Sequence, residues 1–345
     1  MTTARPPRAP GYRLTLAGQV ISPELDARLM RLRLTDRRGL EADQLDITLS
    51  DHDGRLALPR HGAELTLALG WQDAGLVERG TFIVDEVEHS GAPDVVVIRA
   101  RSADMRRQLP GKRSQGWHEL TLGDIVTTIA RRHDLEPAIG TTLQGVYVEH
   151  ADQTDESDLH FLTRLAEQYD AIATIKAGRL LFMAAGQAST ASGRAIAPVT
   201  LRRHHGDSHR YVEADRDAFT GVLAYWHDPD AAERREVIAG SDENLKRMRH
   251  TYASRDDAAS AAKSEWQRIQ RGGAECSLTL AEGRPDLYPE TPVRLAGFKA
   301  TIDAVAWLVT EVTHDLSDMA YISGVQMEVR DSGSYSPRQG TFEQD

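Results

Sequence analysis

The sequence predicts a mainly β protein with a smaller α+β part. Three observations predict it: short segments between 12 and 101 alternate apolar and polar residues at period two, residues 108–190 change to helical spacing, and one eight-residue strand pattern occurs twice.

The first strands are read from alternation. Leu45-Asp46-Ile47-Thr48-Leu49 places apolar side chains on one face, and Asp51-His52-Asp53-Gly54 supplies turn chemistry after it. Leu65-Thr66-Leu67-Ala68-Leu69 alternates again. Phe82-Ile83-Val84-Asp85-Glu86-Val87-Glu88-His89 forms a further strand, and 95–101 pairs with it across Ser90-Gly91-Ala92-Pro93. Short strands at this spacing predict a barrel or sandwich over residues 1–107.

Residues 108–196 read as a small α+β domain. Thr121-Leu122-Gly123-Asp124 resembles a capping box, and Leu122, Ile125, Ile129 and Ala130 follow at helical spacing. A second helix is expected from about 156 to 169, with Leu159, Leu162, Ala166 and Tyr169 on one face. Asp155, Glu156 and Asp158 would sit at its positive N-terminal end, where carboxylates are stabilising. A hairpin follows, 171–175 and 179–183, turning at Lys176-Ala177-Gly178. Residues 184–197, rich in Ala, Ser and Gly, read as a linker.

Strands resume near Val199-Thr200-Leu201 and over 219–226. The charged stretch 229–272 reads as a helical insertion. Within it Ser254 caps a helix whose Ala259, Ala262, Trp266 and Ile269 share a face, and Gly272-Gly273 ends it. Strand patterns return over 275–330, and the polar residues 331–345 are expected to form a mobile tail.

The repeat organises these pieces. Residues 82–89 align without gaps to Trp307-Leu308-Val309-Thr310-Glu311-Val312-Thr313-His314, with Val, Glu, Val and His in the same places. Leu49, Pro59, Leu65 and Leu67 precede the first copy as Leu280, Pro289, Val293 and Leu295 precede the second. One β domain therefore occurs twice, the second copy split into 197–228 and 273–330 around the insertion 229–272. Three such chains would place six similar units in a ring of closed symmetry.

Composition narrows the function classes. The chain has 345 residues, 40% hydrophobic and 27% charged, as expected of a soluble protein of two or three domains. No apolar run reaches membrane-spanning length, so stable membrane binding is not expected. Residues 1–10 lack the apolar core of a signal peptide, so the chain is expected to be made in the cytoplasm. A formal net charge of −11 offers no basic face for gripping nucleic acid.

Catalytic, cofactor-binding and metal-binding residues are all expected to be absent. His204-His205-Gly206-Asp207-Ser208-His209 carries metal donors, yet the flanking Arg203 and Arg210 disfavour a cation, and an exposed loop is the better account. Asp152, Asp155, Glu156 and Asp158 lie in one segment, which suits capping better than the two-sided carboxylates of a glycosidase, and the EF-hand order is missing. The sequence has no G-x-S-x-G elbow, P-loop, H-E-x-x-H or dinucleotide fingerprint. Cys276, the single cysteine, sits in a strand pattern and reads as packed rather than nucleophilic, and Trp266 reads as core or interface.

The segment His150-Ala151-Asp152-Gln153-Thr154-Asp155-Glu156-Ser157-Asp158-Leu159-His160-Phe161-Leu162 resembles the signature segment of the phage late control protein D family, the hub proteins of contractile tails. Gly273-Ala274-Glu275-Cys276-Ser277-Leu278-Thr279-Leu280, Pro289-Glu290-Thr291-Pro292-Val293, Gly297-Phe298-Lys299 and 307–314 resemble it too. The likeness spans about 15–330. It implies two tail-tube-like antiparallel β-barrel domains, a small α+β domain and a helical insertion. It further implies a homotrimeric, pseudo-hexameric ring in the virion baseplate, joining the six-fold tail-tube protein to a three-fold central spike protein.

Tape-measure and baseplate wedge proteins are further implied partners, and DNA would be met only in transit, past an acidic or neutral wall. No needle repeat follows Arg330, so the spike is expected to be a separate protein. A peptidoglycan-degrading tail enzyme and a hub of a type VI-like secretion spike are the alternative readings.

Overall fold

The computed structural model describes residues 8–103, 111–176, 178–188, 194–213, 219–229, 231–317 and 320–330. The expected boundary at 107/108, the tail 331–345 and part of the 184–197 linker fall outside them.

The first unit contains β1 (Pro10–Leu16), β2 (Gln19–Val20), β3 (Leu29–Arg37), β4 (Gln44–Ser50), β5 (Glu64–Trp71), β6 (Gly75–Ser90) and β7 (Val95–Ser102). Alternation is the cause of this sheet: in β4, Leu45, Ile47 and Leu49 are buried, while the residues between them are only partly covered. Each such side chain contributes on the order of 1.5–3 kcal/mol by leaving water. Leu32, Leu67, Phe82 and Val84 complete the same core.

The α+β part contains β8 (Lys112–Thr121), β9 (Glu136–Ile139), β10 (Tyr147–Ser157), β11 (Ala171–Lys176) and β12 (Arg179–Ala184). Its helix Leu122–Arg132 starts on a complete Thr121/Asp124 capping box and buries Leu122, Ile125, Ile129 and Ala130. The second helix, Asp158–Gln168, buries Phe161, Leu162 and Leu165. Both pack in one core with the β11–β12 hairpin, through Ile175, Leu180 and Phe182.

The second unit is assembled from β13 (Val199–Arg202), β14 (Gly206–Glu213), β18 (Ala274–Leu280), β19 (Pro292–Ala296), β20 (Ala306–Leu316) and β21 (Tyr321–Val329). Leu278, Trp307, Val309 and Met327 lie in its core.

The insertion corrects one expectation. Residues 229–272 are not helical throughout. β15 (Gly221–Asp228), β16 (Glu233–Gly240) and β17 (Leu245–Tyr252) form a separate three-stranded sheet, and only Arg255–Arg271 is a helix. Residues 221–228 thus pair within the insertion and not with the second β unit, to which 197–228 was assigned. Ser254 caps the helix as expected, and Ala258, rather than the exposed Ala259, packs with Ala262 on Val222 and Ala224, with Trp266 and Ile269 beside them. The strands were hidden because Glu233–Gly240 opens on four exposed charged residues and Leu245–Tyr252 interrupts its apolar positions with Lys246, Arg247, Arg249 and His250, so neither shows clean period-two alternation.

The fold is mainly antiparallel β with a smaller α+β part, as the sequence predicts. Both β units belong to one thirteen-stranded sheet ordered β14-β18-β21-β20-β3-β4-β7-β6-β5-β1-β2, with β13 and β19 attached beside β20. Among the described residues the strand pairing closes neither unit into a barrel.

Candidate functional site

The two β units correspond residue by residue. β3-β4-β7-β6-β5 in the first is matched by β14-β18-β21-β20-β19 in the second. Phe82 pairs with Ser102 and Leu65; Trp307, its counterpart in the echo, pairs with Val329 and Val293. Ile47 opposite Ile98 corresponds to Leu278 opposite Val325. The irregularities match as well. The β6–β7 ladder shifts register between Val84 and Glu86, and β20–β21 shifts between Val309 and Glu311. A second shift falls between Leu29 and Arg31 in β3 and between Gly206 and Ser208 in β14. A bulge is a local feature set by its own sequence, so two at equivalent places reflect one plan used twice. The plan departs at one edge: β1 runs antiparallel to β5, whereas β13 runs parallel to β19.

One strand joins the units. After its bulge β20 leaves β19 and pairs antiparallel with β3 of the first unit, Glu311 opposite Arg37, Thr313 opposite Thr35, and Asp315 opposite Arg33. The face turned inward is mostly apolar: Val312, Leu316, Leu32 and Leu34 are at most 2% exposed, with His314 and Asp36 buried among them. On the other face Asp315 accepts from both Arg31 and Arg33, the latter at 2.9 Å, and Glu311 accepts from Arg37 at 3.2 Å. Burial alone would raise the Asp315 carboxyl, but the Arg31 and Arg33 hydrogen bonds outweigh it and hold it below the usual range.

A buried polar cluster crosses this seam. Arg79 of β6 has no exposed side-chain surface, and its guanidinium lies 3.2 Å from the Asp36 carboxylate. It also donates to the Leu287 carbonyl at 3.3 Å and stacks 4.0 Å over the Tyr288 ring. His314 of β20 joins it, burying the imidazole between Arg79, Ser323 and Tyr321. Burial first, then the Arg79 charge, pushes the His314 pKa well below its ordinary value, so the ring is neutral. Sequence reasoning singled out His314 only as part of the echo and missed Arg79 and Asp36. The available signal was Asp36 itself, a carboxylate following Leu32 and Leu34 on the apolar phase of β3.

Other residues weighed for chemistry are dispersed into structural roles. His204 and His205 lie in a 3₁₀ turn, Arg203–His205, and Gly206 onward is strand rather than the expected loop. His209 packs edge-on to Phe298, 5.0 Å between ring centres. Of the carboxylate run, only Asp158 enters the helix, which begins one residue after its Ser157 cap. Asp152, Asp155 and Glu156 instead belong to β10, a correction to the capping account, and meet His150, Lys112 and Arg164 respectively. Asp158 is fully buried and accepts from Arg132 at 2.9 Å, Gln153 at 2.8 Å and His133 at 2.7 Å. Cys276 is buried, and burial pushes its thiol up to about 11, so little thiolate forms at neutral pH. Among the described residues, no three His, Cys, Asp or Glu side chains are grouped to hold a metal ion, and no helix is long and apolar enough to cross a membrane.

Comparison with known proteins agrees on one family. The family model described as phage tail baseplate hub (GPD) matches residues 37–320. A probable baseplate hub protein of Escherichia phage 186 is 44% identical, with 93% of each chain covered. The corresponding protein of Escherichia phage P2 is 43% identical over the same shares. Among solved structures, the 43 kDa tail protein of prophage MuSo2 from Shewanella oneidensis has a TM-score of 0.68 at 15% identity, covering 94% of this chain and 99% of that one. An E. coli type VI secretion component has a TM-score of 0.56 at 16% identity, covering 95% and 79%. At those identities the structures speak to fold alone.

Proposed function

We propose a ring-forming role that proceeds from one premise: this chain belongs to the phage tail baseplate hub family, the hubs of contractile tails. In this reading three copies form a ring of six like β units. One face of the ring matches the six-fold tail tube and the other the three-fold central spike, with tape-measure and wedge proteins as further partners. DNA passes without stable binding, in keeping with the net charge of −11. Four cores support a division into first β unit, α+β part, second β unit and insertion.

The observation that carries this reading is the duplication down to both bulges. A single chain offering one unit twice makes six near-equivalent contacts from three copies. The role is that of a scaffold and not an enzyme, made in the host cytoplasm and carried in the baseplate. The ion pairs that occupy Asp152, Asp155, Glu156 and Asp158 support this over a muralytic site. Imaging of the tail tip tests the ring: three copies per tail are expected, and any other number overturns it. Purified protein is expected to leave peptidoglycan uncleaved.

A further inference from the structure

The chain carries both halves of its internal seam a second time, and each half is left without the other. β14 is the counterpart of β3, yet among the described residues it pairs with β18 alone and ends the sheet path. β6 is the counterpart of β20. Val84 exchanges backbone bonds with Gly62 and Ala63, just as Val309 does with Glu290 and Thr291. Beyond that point β20 takes up β3, whereas, among the described residues, 86–90 of β6 pair with β7 only.

Exposure follows the same division. Val312 and His314 are buried in the internal seam, while Val87 is half-buried and His89 exposed. Leu34 is buried, while its counterpart Tyr211 is half-buried. Six strands separate β14 from β6 in the sheet.

We infer that the β14 edge of one copy pairs antiparallel with residues 86–90 of β6 in the next copy, continuing the sheet from chain to chain. This rests on the trimeric ring proposed above and assigns its interface. Transferring the internal register, in which Asp315 faces Arg33 and His314 faces Leu34, sets Ser90 opposite Arg210, His89 opposite Tyr211 and Val87 opposite Glu213. Main-chain hydrogen bonds supply the contact, as in any strand addition. The charges agree with it: Arg210, exposed like Glu88, comes diagonally beside that acid. Each copy gives one edge and receives the other, so the contact is head-to-tail and closes on itself after three.

Disulfide trapping in assembled tail particles tests this. The hub carries Ser90→Cys and Arg210→Cys in a Cys276→Ala background. Directly opposed strand residues lie within disulfide reach. Oxidation is expected to yield reducible bands at two and three times the 38.1 kDa chain. The out-of-register pair Ser90→Cys and Glu213→Cys is expected to stay monomeric.

Monomer from the first pair, or equal linking by both, in particles that hold three hubs overturns the edge pairing and leaves the trimer standing. A count other than three overturns the ring and the edge together. Amide exchange on the unsubstituted hub, free and in the particle, reads the same contact without any variant. Protection of 86–90 and 206–213 on assembly is expected, and unchanged exchange there refutes it.

Discussion

The guanidinium of Arg79 and the imidazole of His314 meet at 2.8 Å, one from each β unit, inside the seam that unites them. The arginine donates, so Nε2 of His314 accepts and its Nδ1–H faces Ser323 Oγ at 3.1 Å and the Tyr321 hydroxyl oxygen at 2.9 Å. A protonated ring would place a second cation beside Arg79.

A pH dependence follows. The unfolded chain takes up a proton at this histidine near pH ~6.5, and the folded chain does not. Stability is therefore full above that pH and falls as the solution is acidified. His314→Gln is expected to remove this slope while lowering stability at neutral pH. Denaturant unfolding at pH 7.5 and 5.5 checks it: the parent loses about 1.4 kcal/mol more than the variant between them. Equal losses would contradict the buried neutral ring.

Arg79→Met is expected to cost about 3–5 kcal/mol, because it leaves Asp36 in the interior with Lys176 as its remaining cation. The double variant with Asp36→Asn recovers part of the loss, which a double-mutant cycle measures. Asp315→Asn, whose partners Arg31 and Arg33 are nearly half exposed, is expected to cost only about 0.2–1 kcal/mol. A larger effect at Asp315 than at Arg79 would reverse this ranking.

At Asp158 burial pushes the carboxyl up, but bonds from Gln153, His133 and Arg132 prevail and hold it below the ordinary range. Its contribution is present above pH ~4, the unfolded value, and is lost as pH falls through the lower folded value. Asp158→Asn is expected to destabilise by about 3 kcal/mol at pH 7, since Arg132 and Arg113 lose their buried partner. The gap between parent and variant narrows on acidification; a gap that widens would refute the assignment.

Gly123→Ala sets two effects against each other. Helix propensity favours alanine by about 1 kcal/mol. A Cβ there would stand 2.6 Å from the Gln144 carbonyl oxygen, a backbone atom of the adjoining helix Thr141–Gln144. The contact wins, and a net loss of about 1–3 kcal/mol is expected by thermal unfolding. A gain would show that the neighbouring helix yields freely.

Much of the fold was legible because local pattern carried it. Alternation located β4 and β5, the turn after β6 placed β7, and the echo of 82–89 in 307–314 anticipated an equivalence that extends to Leu65 with Val293 and Leu49 with Leu280. The seam was not legible. Arg33 and Asp315 meet across most of the chain, and nothing in either strand's period names its partner. β8 and β10 escaped because they form a two-stranded ribbon, polar over most of both faces. In the 204–209 run donor identity suggested a metal, but the backbone spreads those side chains along a turn and an edge strand.

The β20–β3 joint also bears on assembly kinetics. It forms within one polypeptide, where the tether fixes a high effective concentration of one strand at the other. A ring of three would then owe only half of its joints to diffusional encounter. Translational and rotational entropy is lost twice rather than five times. Compared with six separate single-unit subunits, such a collar would form at lower protein concentration and would lose material only in pairs of units.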